Sequence, residues 1–89
     1  MKQYYIWISA SGCGPIQNII ICIINNKEYK IDKNMFDNWT LEDVFCAGLE
    51  SKPKAINCYK KCSKFSISCQ RIKTGEIIAK KEFIRNGKI

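Results

Sequence analysis

Isoleucine fills most of residues 16 to 24, and this run constrains the fold more than any other feature of the sequence. Six of the nine residues in IQNIIICII are isoleucine. β-Branched side chains lose rotamer freedom in a helix and pack well on a pleated sheet, so the run predicts a β-strand. A helical stripe beginning at Pro15 also fits the spacing, but the density of isoleucine favours the strand.

Turn-forming residues flank this strand on both sides. The stretch SGCGP, residues 11 to 15, predicts a turn, and the aromatic and β-branched residues 3 to 9 before it predict a first strand. On the other side, Asn25-Asn26 tolerates positive φ and suits a tight turn. We therefore expect a hairpin in which Ile19 to Ile24 pairs with a second arm from Glu28 to Asp32.

Three more short strands are predicted in the second half of the chain, near residues 54 to 60, 64 to 72 and 76 to 84. The last two are joined by a turn in KTGE. A three-residue loop with Gly75 in the left-handed conformation would set Phe83 opposite Phe65. The same register would set Ala79 opposite Cys69, whereas a two-residue turn would place charged residues beside these apolar side chains. We therefore expect the three-residue loop.

The segment TLEDVFCAGLES predicts the one helix, at about residues 41–50. Thr40 can cap its start, and Asp43 follows three residues later, with further acid in the first turn. Apolar residues at helical spacing form one continuous face: Leu41, Val44, Phe45 and Leu49. The sequence therefore predicts a single α+β domain, residues 1–89, with this helix packed on one face of an antiparallel sheet of about five or six strands.

The chain has six cysteines and no histidine, so a structural zinc site would need four thiolates. No Cys-x₂-Cys pair is present, and Cys58 and Cys62 would lie about 13 Å apart on an extended strand, too far to share one ion. Cys22, Cys46 and Cys69 are instead expected to be small buried apolar residues with free thiols. We predict no metal and no cofactor, although a cysteine-based redox or zinc-binding protein stays open as an alternative.

The sequence offers little for catalysis. General acid–base chemistry near neutral pH usually employs histidine, which the chain lacks. Cys13 is the one thiol in a glycine-bounded turn, but the Gly-x-Gly pattern there is too short to be a phosphate-binding loop. We expect an exposed thiol in a turn rather than a nucleophile, and we predict no enzymatic activity.

Positive charge is concentrated in one part of the chain. The formal net charge is +7, and residues 51 to 75 contain seven of the fifteen Lys and Arg residues and no acidic residue. With Arg85, these predict a partner-binding surface of eight cations: Lys52, Lys54, Lys60, Lys61, Lys64, Arg71, Lys73 and Arg85. A hairpin turning near residues 61 to 63 would gather one group at its turn: Lys60, Lys61 and Lys64, with Arg85 close by. It would place the remaining four about 25 Å away at the other end. Tyr59, in the same segment, would either join this surface and stack on bases or be buried.

Together these features predict a non-enzymatic binding or inhibitor protein whose basic surface docks on an acidic or nucleic-acid-handling partner. One concrete version is an inhibitor from a mobile genetic element that blocks a host defence complex, as an anti-CRISPR protein does. Direct binding to nucleic acid is the main alternative. A homodimer formed through an isoleucine-rich edge strand also stays open.

The chain is expected to be cytoplasmic and not associated with a membrane. Its longest apolar run, residues 19 to 24, is six residues long, whereas a membrane span needs roughly 20 residues. Its first residues lack the pattern of a signal peptide. Free thiols are typical of such a reducing compartment.

Overall fold

The computed structural model describes residues 2–12 and 14–85, and for residues 55–58 it describes the backbone alone. Within these residues the chain forms a small compact α+β structure. Its elements, in chain order, are β1 (Gln3–Ser11), β2 (Gln17–Asn25), α1 (Leu41–Ser51), α2 (Ile56–Lys61), β3 (Lys64–Arg71) and β4 (Ile77–Ile84), with a 3-10 turn at Pro53–Ala55 directly before α2.

The described strands form one antiparallel sheet in the order β2-β1-β3-β4. The predicted α+β class with one main helix is confirmed, whereas the sheet has four strands in the described part of the chain rather than five or six. None of the described helices has the length and apolar character needed to cross a bilayer.

The arm predicted from Glu28 to Asp32 is not a strand. The side-chain oxygen of Asn25 accepts hydrogen bonds from the backbone N–H groups of Lys27 and Glu28, each at 3.0 Å. An asparagine that binds the backbone two residues ahead bends the chain into a turn. β2 therefore pairs with β1 across the glycine-bounded turn, rather than with the residues that follow it.

Residues 54 to 60, predicted as a strand, are helical. Pro53 begins the 3-10 turn, and α2 continues from that turn to Lys61. Proline fits the first position of a helical segment, because its missing N–H would have no partner there. Pro53 thus ends α1 and also starts the next helical segment, so the strand prediction for this stretch is wrong.

The predicted register of the last hairpin is confirmed. Phe65 pairs with Phe83, and Cys69 pairs with Ala79. Gly75 has a φ of 76°, a conformation that glycine adopts without the steric cost of a Cβ atom.

The loop itself differs from the prediction. The N–H of Arg71 donates to the carbonyl oxygen of Glu76, and the carbonyl oxygen of Arg71 accepts a hydrogen bond from the N–H of Gly75, so four residues, 72 to 75, form the loop rather than three. A register shift between Cys69 and Gln70 then produces the predicted pairs.

Local sequence also positions α1. Thr40 Oγ1 accepts a hydrogen bond from the N–H of Asp43 at 3.1 Å, and Asp43 Oδ2 accepts one from the N–H of Thr40 at 2.9 Å. This reciprocal capping box gives partners to two N–H groups at the start of the helix. The backbone hydrogen bond from Thr40, and then its side chain, hold the pKa of Asp43 below its usual value, because both stabilise the charged carboxylate.

The core lies between the helices and one face of the sheet. Tyr59, Val44 and Phe65 are among its largest fully buried side chains. Along β1, buried and less buried residues alternate, as expected when one face of a strand packs on a core. The less buried residues of β1, including Tyr5 and Trp7, lie on the opposite face, which we call the outer face.

Candidate functional site

Four of the eight predicted partner-binding cations meet at one end of the sheet. Lys60 and Lys61 end α2, Lys64 starts β3, and Arg85 follows β4. The backbone joins these segments, because the N–H of Arg85 donates to the carbonyl oxygen of Ser63 at 2.8 Å. We call Lys60, Lys61, Lys64 and Arg85 the basic end. The sequence predicts this grouping, but through a hairpin turn, whereas in the structure Lys60 and Lys61 lie at the end of a helix.

The guanidinium of Arg85 caps α2. Its Nη1 atom donates to the carbonyl oxygens of Tyr59 at 3.3 Å and Lys60 at 3.2 Å. The last carbonyls of a helix lack partners within the helix and carry partial negative charge, so a cation is stabilised beside them. Arg85 therefore fixes the end of α2 relative to β4, in addition to adding positive charge.

Tyr59 anchors α2 in the core and so positions the two lysines that follow it. Its ring contacts the rings of Phe45 and Phe65, with centroids 5.7 Å apart in each pair. Gly48 of α1 lies directly against the Tyr59 ring, in a space where a Cβ atom would collide with it. Tyr59 is fully buried, so it is a core residue and does not offer a stacking surface to a base.

Lys52 and Lys54 belong to the segment between the two helices. Both side chains are exposed. Lys54 lies in the 3-10 turn, and a helical path from there to Lys60 covers only about 9 Å. The predicted grouping of these two lysines with Arg71 and Lys73 depended on a strand at residues 54 to 60, and these residues are helical instead.

A second cluster of cations lies at the opposite end of β3. Arg71 ends the strand that Lys64 begins, which separates the two by about 23 Å. Arg71 and Lys73 line a shallow pocket of about 230 Å³, whose other lining residues are Lys2, Gln3 and Ile72. The structure thus places two basic clusters at the two ends of one strand.

The three lysines of the basic end are exposed and form no ion pair with a described carboxylate. The ion pairs among the described residues join Lys30 to Asp32 at 3.8 Å and Lys80 to Glu82 at 3.4 Å. Neither pair involves any of the eight predicted cations. The positive charge of the basic end is therefore not cancelled by contacts within the described chain.

A shallow apolar groove adjoins the basic end. It has a volume of about 410 Å³ and is lined by Leu41, Glu42, Phe45, Cys46 and Arg85. Arg85 therefore borders both the groove and the lysine cluster. Apolar side chains with charged residues at their margin are typical of protein–protein interfaces, which have an apolar centre and a polar rim.

The free cysteines lie in different environments. Cys69 is fully buried, as predicted, and this burial, with a smaller contribution from Cys22, raises the pKa of its thiol to about 11. A thiol with so high a pKa stays protonated at neutral pH and is a poor nucleophile. Cys22 and Cys46 are exposed, so the prediction that they are buried is wrong. The reason at Cys22 is that β2 is an edge strand.

Cys62 is buried and disulfide-bonded. The expectation of free thiols therefore fails at this residue. The predictions for Cys13 and for the side chain of Cys58 fall outside the described residues. Among the side chains described, which exclude those of residues 55–58, no group of three Cys, Asp or Glu is arranged to hold a metal ion.

Sequence reasoning missed the groove and also missed the role of Lys81. The Nζ atom of Lys81 donates to the carbonyl oxygens of Asp37 at 3.0 Å and Trp39 at 2.9 Å. These bonds fix the loop that leads into α1. A signal was present in the sequence, because Lys81 alternates with Ala79 and Phe83 and so occupies an inward-facing position of β4.

No protein family model matches the chain, and neither a curated protein nor a solved structure is significantly similar to it. The features of the chain that bear on its function are therefore the surface chemistry of the basic end and the adjoining groove.

Proposed function

We propose that the protein is a non-enzymatic binding protein whose basic end docks on an acidic surface of a partner that handles nucleic acid. The observation that carries this proposal is the grouping of Lys60, Lys61 and Lys64 with Arg85, without an ion pair to a described carboxylate. One concrete form is an anti-CRISPR-like inhibitor from a mobile genetic element, which would block a host defence complex by covering an acidic groove.

Lysines that form no ion pair with a described carboxylate, gathered at one end of the molecule, produce a directional electrostatic field. Such a field raises the rate of encounter with an oppositely charged surface and orients the approach. The net charge of +7 adds a general attraction to acidic surfaces. We therefore expect the basic end to influence the association rate more than the dissociation rate.

The adjoining groove favours a protein partner over a phosphate backbone. An apolar side chain from the partner would fit between Leu41 and Phe45, beside the Arg85 guanidinium. Buried apolar anchors surrounded by polar contacts supply much of the affinity at protein interfaces. A phosphate backbone offers no equivalent apolar group, so it would leave the groove unfilled.

Affinity capture from a host-cell extract tests the proposal with three tagged baits. The first is the wild-type protein, and the second is Lys60→Glu/Lys61→Glu/Lys64→Glu. The third, Lys27→Glu/Lys30→Glu/Lys33→Glu, changes the net charge equally but alters the loop after β2. We expect one acidic partner to be retained by the wild-type and loop-variant baits and lost from the basic-end variant. Equal retention by all three baits would contradict the proposal.

Direct binding to nucleic acid is the second candidate, and the second cluster of cations, with Arg71 and Lys73, favours it. Arg71 lies about 23 Å from Lys64 along β3, a span that a phosphate backbone covers in several nucleotides. Binding of this kind would use both clusters at once. It would release counterions at each phosphate contact, so the affinity would fall steeply as salt rises.

Fluorescence anisotropy with labelled single-stranded and duplex oligonucleotides separates the two candidates. Nucleic-acid binding predicts a measurable affinity at low salt, with a salt dependence that weakens when Arg71 and Lys73 are replaced by alanine. The protein-partner proposal predicts only weak binding that is insensitive to these two substitutions. Absence of binding at low salt would eliminate the second candidate.

A further inference from the structure

The two edges of the sheet differ in how they are protected against pairing with another strand. β4 carries Lys80, Lys81 and Glu82, whereas the sequence of β2, QNIIICIIN, contains no charged residue and no proline. Charged residues and proline on an edge strand hinder pairing with a further strand. β4 therefore has this protection, and β2 lacks it.

Large apolar side chains on β2 are exposed. Ile20 is 61% exposed and Ile23 is 64% exposed. Ile20 pairs with Trp7 and Ile23 pairs with Tyr5 in the sheet, which places both isoleucines on the outer face beside aromatic neighbours. An uncharged edge with adjacent exposed isoleucines is a surface suited to burial against another strand.

We propose that β2 pairs in antiparallel fashion with β2 of a second copy of this chain, about a two-fold axis. Such pairing would join the two four-stranded sheets into one continuous sheet. It would give hydrogen-bonding partners to the edge backbone groups of both copies, and it would bury Ile20 and Ile23. A symmetric interface of this kind uses the same patch on both copies, so the patch must be complementary to itself.

A bulge in β2 makes the strand self-complementary. Ile6 pairs with Cys22 while Trp7 pairs with Ile20, so Ile21 is an extra residue in the ladder. Because of this extra residue, the side chains of residues 20 and 23 lie on the same face although they are three positions apart.

One antiparallel register places residues of similar polarity opposite each other across the two-fold axis. When Ile20 lies opposite Ile23 of the second copy, Ile19 lies opposite Ile24, and Asn18 lies opposite Asn25. Ile19 and Ile24 are both buried, on the core face, so this pairing also matches residues on the same face. In this register Ile21 lies opposite Cys22 at the axis itself, the aliphatic pairs flank this centre, and the asparagine pairs lie outside them. This order agrees with the preference for cross-strand pairs of similar polarity.

The charge distribution leaves this edge open to a second copy, and the self-complementary register identifies that copy as its occupant. Two copies of a chain with a net charge of +7 repel each other, and they can approach most closely through a strand that carries no charge. The nearest cation after the strand, Lys27, lies in the turn that follows β2 and so outside the paired residues. The edge also offers no charged group that would select an acidic or a basic strand from another protein.

Sedimentation velocity over a range of protein concentrations, with a reductant present, tests the proposal. We expect the wild-type protein to be a dimer that dissociates on dilution, and Ile20→Lys/Ile23→Lys to be a monomer. Ile84→Lys is the matched control, because Ile84 is 64% exposed, as Ile23 is, but lies on β4. This control should remain dimeric. A wild-type protein that stays monomeric at the highest concentration, or a control that dissociates as fully as the β2 variant, would overturn the proposal.

Two further double variants test whether loss of the dimer reflects misfolding and whether the proposed register is correct. Ile20→Thr/Ile23→Thr keeps β-branched side chains and should also weaken the dimer while retaining the wild-type circular dichroism spectrum. Ile20→Lys/Ile23→Glu sets opposite charges across the axis, whereas Ile20→Lys/Ile23→Lys sets like charges there. Ile20→Lys/Ile23→Glu should dimerise roughly tenfold more tightly than Ile20→Lys/Ile23→Lys, given the energies of cross-strand charge pairs. Equal dissociation of the two charged variants would contradict the proposed register.

Discussion

Gly48 of α1 and Tyr59 of α2 are in such close contact that only glycine fits at position 48. A Cβ atom there would lie 2.6 Å from Tyr59 Oη and 2.8 Å from Tyr59 Cζ. The ring cannot move aside freely, because it also packs against Phe45 and Phe65. This contact sets the distance between the two helices and therefore the position of the lysines that follow Tyr59.

Gly48→Ala is predicted to destabilise the protein by about 1–3 kcal/mol, the usual range for overpacking a core. A loss of stability would be specific evidence for the clash with Tyr59, because alanine inside a helix is normally favoured over glycine by roughly 0.5–1 kcal/mol. Urea denaturation measures the free energy of unfolding. The matched comparison is the same substitution made in Tyr59→Leu, where the loss should shrink because the smaller side chain leaves room. Unchanged or increased stability of Gly48→Ala in the wild-type background would show that the contact is not as close as described.

Arg85→Ala is predicted to lower the free energy of unfolding by about 1 kcal/mol, since the end carbonyls of α2 would lose a charged hydrogen-bond donor. Arg85→Lys should recover part of the loss, because a cation remains beside those carbonyls. Arg71→Ala serves as the control, and chemical denaturation gives all three values. If Arg71→Ala and Arg85→Ala are equally stable, the capping role assigned to Arg85 is wrong.

Stability should decrease above about pH 9 because of Cys69. Its thiol has a pKa of about 11 in the folded protein, above the ordinary value of 9.0. Below pH 9 the thiol is protonated in both states, so the full stability is present. Between these values the unfolded chain loses the proton while the folded protein retains it, and stability falls by at most about 2–3 kcal/mol.

Denaturation at pH 8 and pH 10.5 measures this effect in the wild type, in Cys69→Ala and in the exposed-site control Cys46→Ser. The loss between the two pH values should be smaller in Cys69→Ala than in the other two proteins. The same loss in all three would mean that Cys69 does not contribute to the pH dependence.

Several elements could be predicted from the sequence because their signals are local. Thr40 and Asp43 define the start of α1 through a capping box, and Gly75 permits the last turn through its positive φ. Alternation of apolar residues in β1 and β3 locates the core face of the sheet. In each case the deciding residues lie within one turn or one strand.

The helical segment after Pro53 could not be predicted in the same way. α2 is only six residues long, and helices shorter than about 12 residues are marginal without tertiary contacts. Its stability depends on Tyr59 packing against Gly48, and on Arg85, which lies far away in sequence. The missing arm at Glu28 to Asp32 has a local cause, because the side chain of Asn25 bends the backbone into a turn.

The candidate site was predictable as a set of charges but not as a surface. Charge counting identified Lys60, Lys61 and Lys64, since no acidic residue interrupts that segment. The groove depends on the position of α1 beside Arg85, which charge patterning does not report. The exposure of Cys22 depends on strand order, because a strand at the edge of a sheet leaves more of its side chains in solvent.

The most direct test of the central claim is the association rate with the captured partner, measured at low and at high salt. Stopped-flow or biosensor kinetics would compare the wild type, Lys60→Glu/Lys61→Glu/Lys64→Glu, and the loop control Lys27→Glu/Lys30→Glu/Lys33→Glu. We predict that the basic-end variant associates at least about tenfold more slowly at low salt, with a much smaller change in dissociation, and that added salt narrows the difference. Equal association rates for the two triple variants at low salt would contradict docking through the basic end.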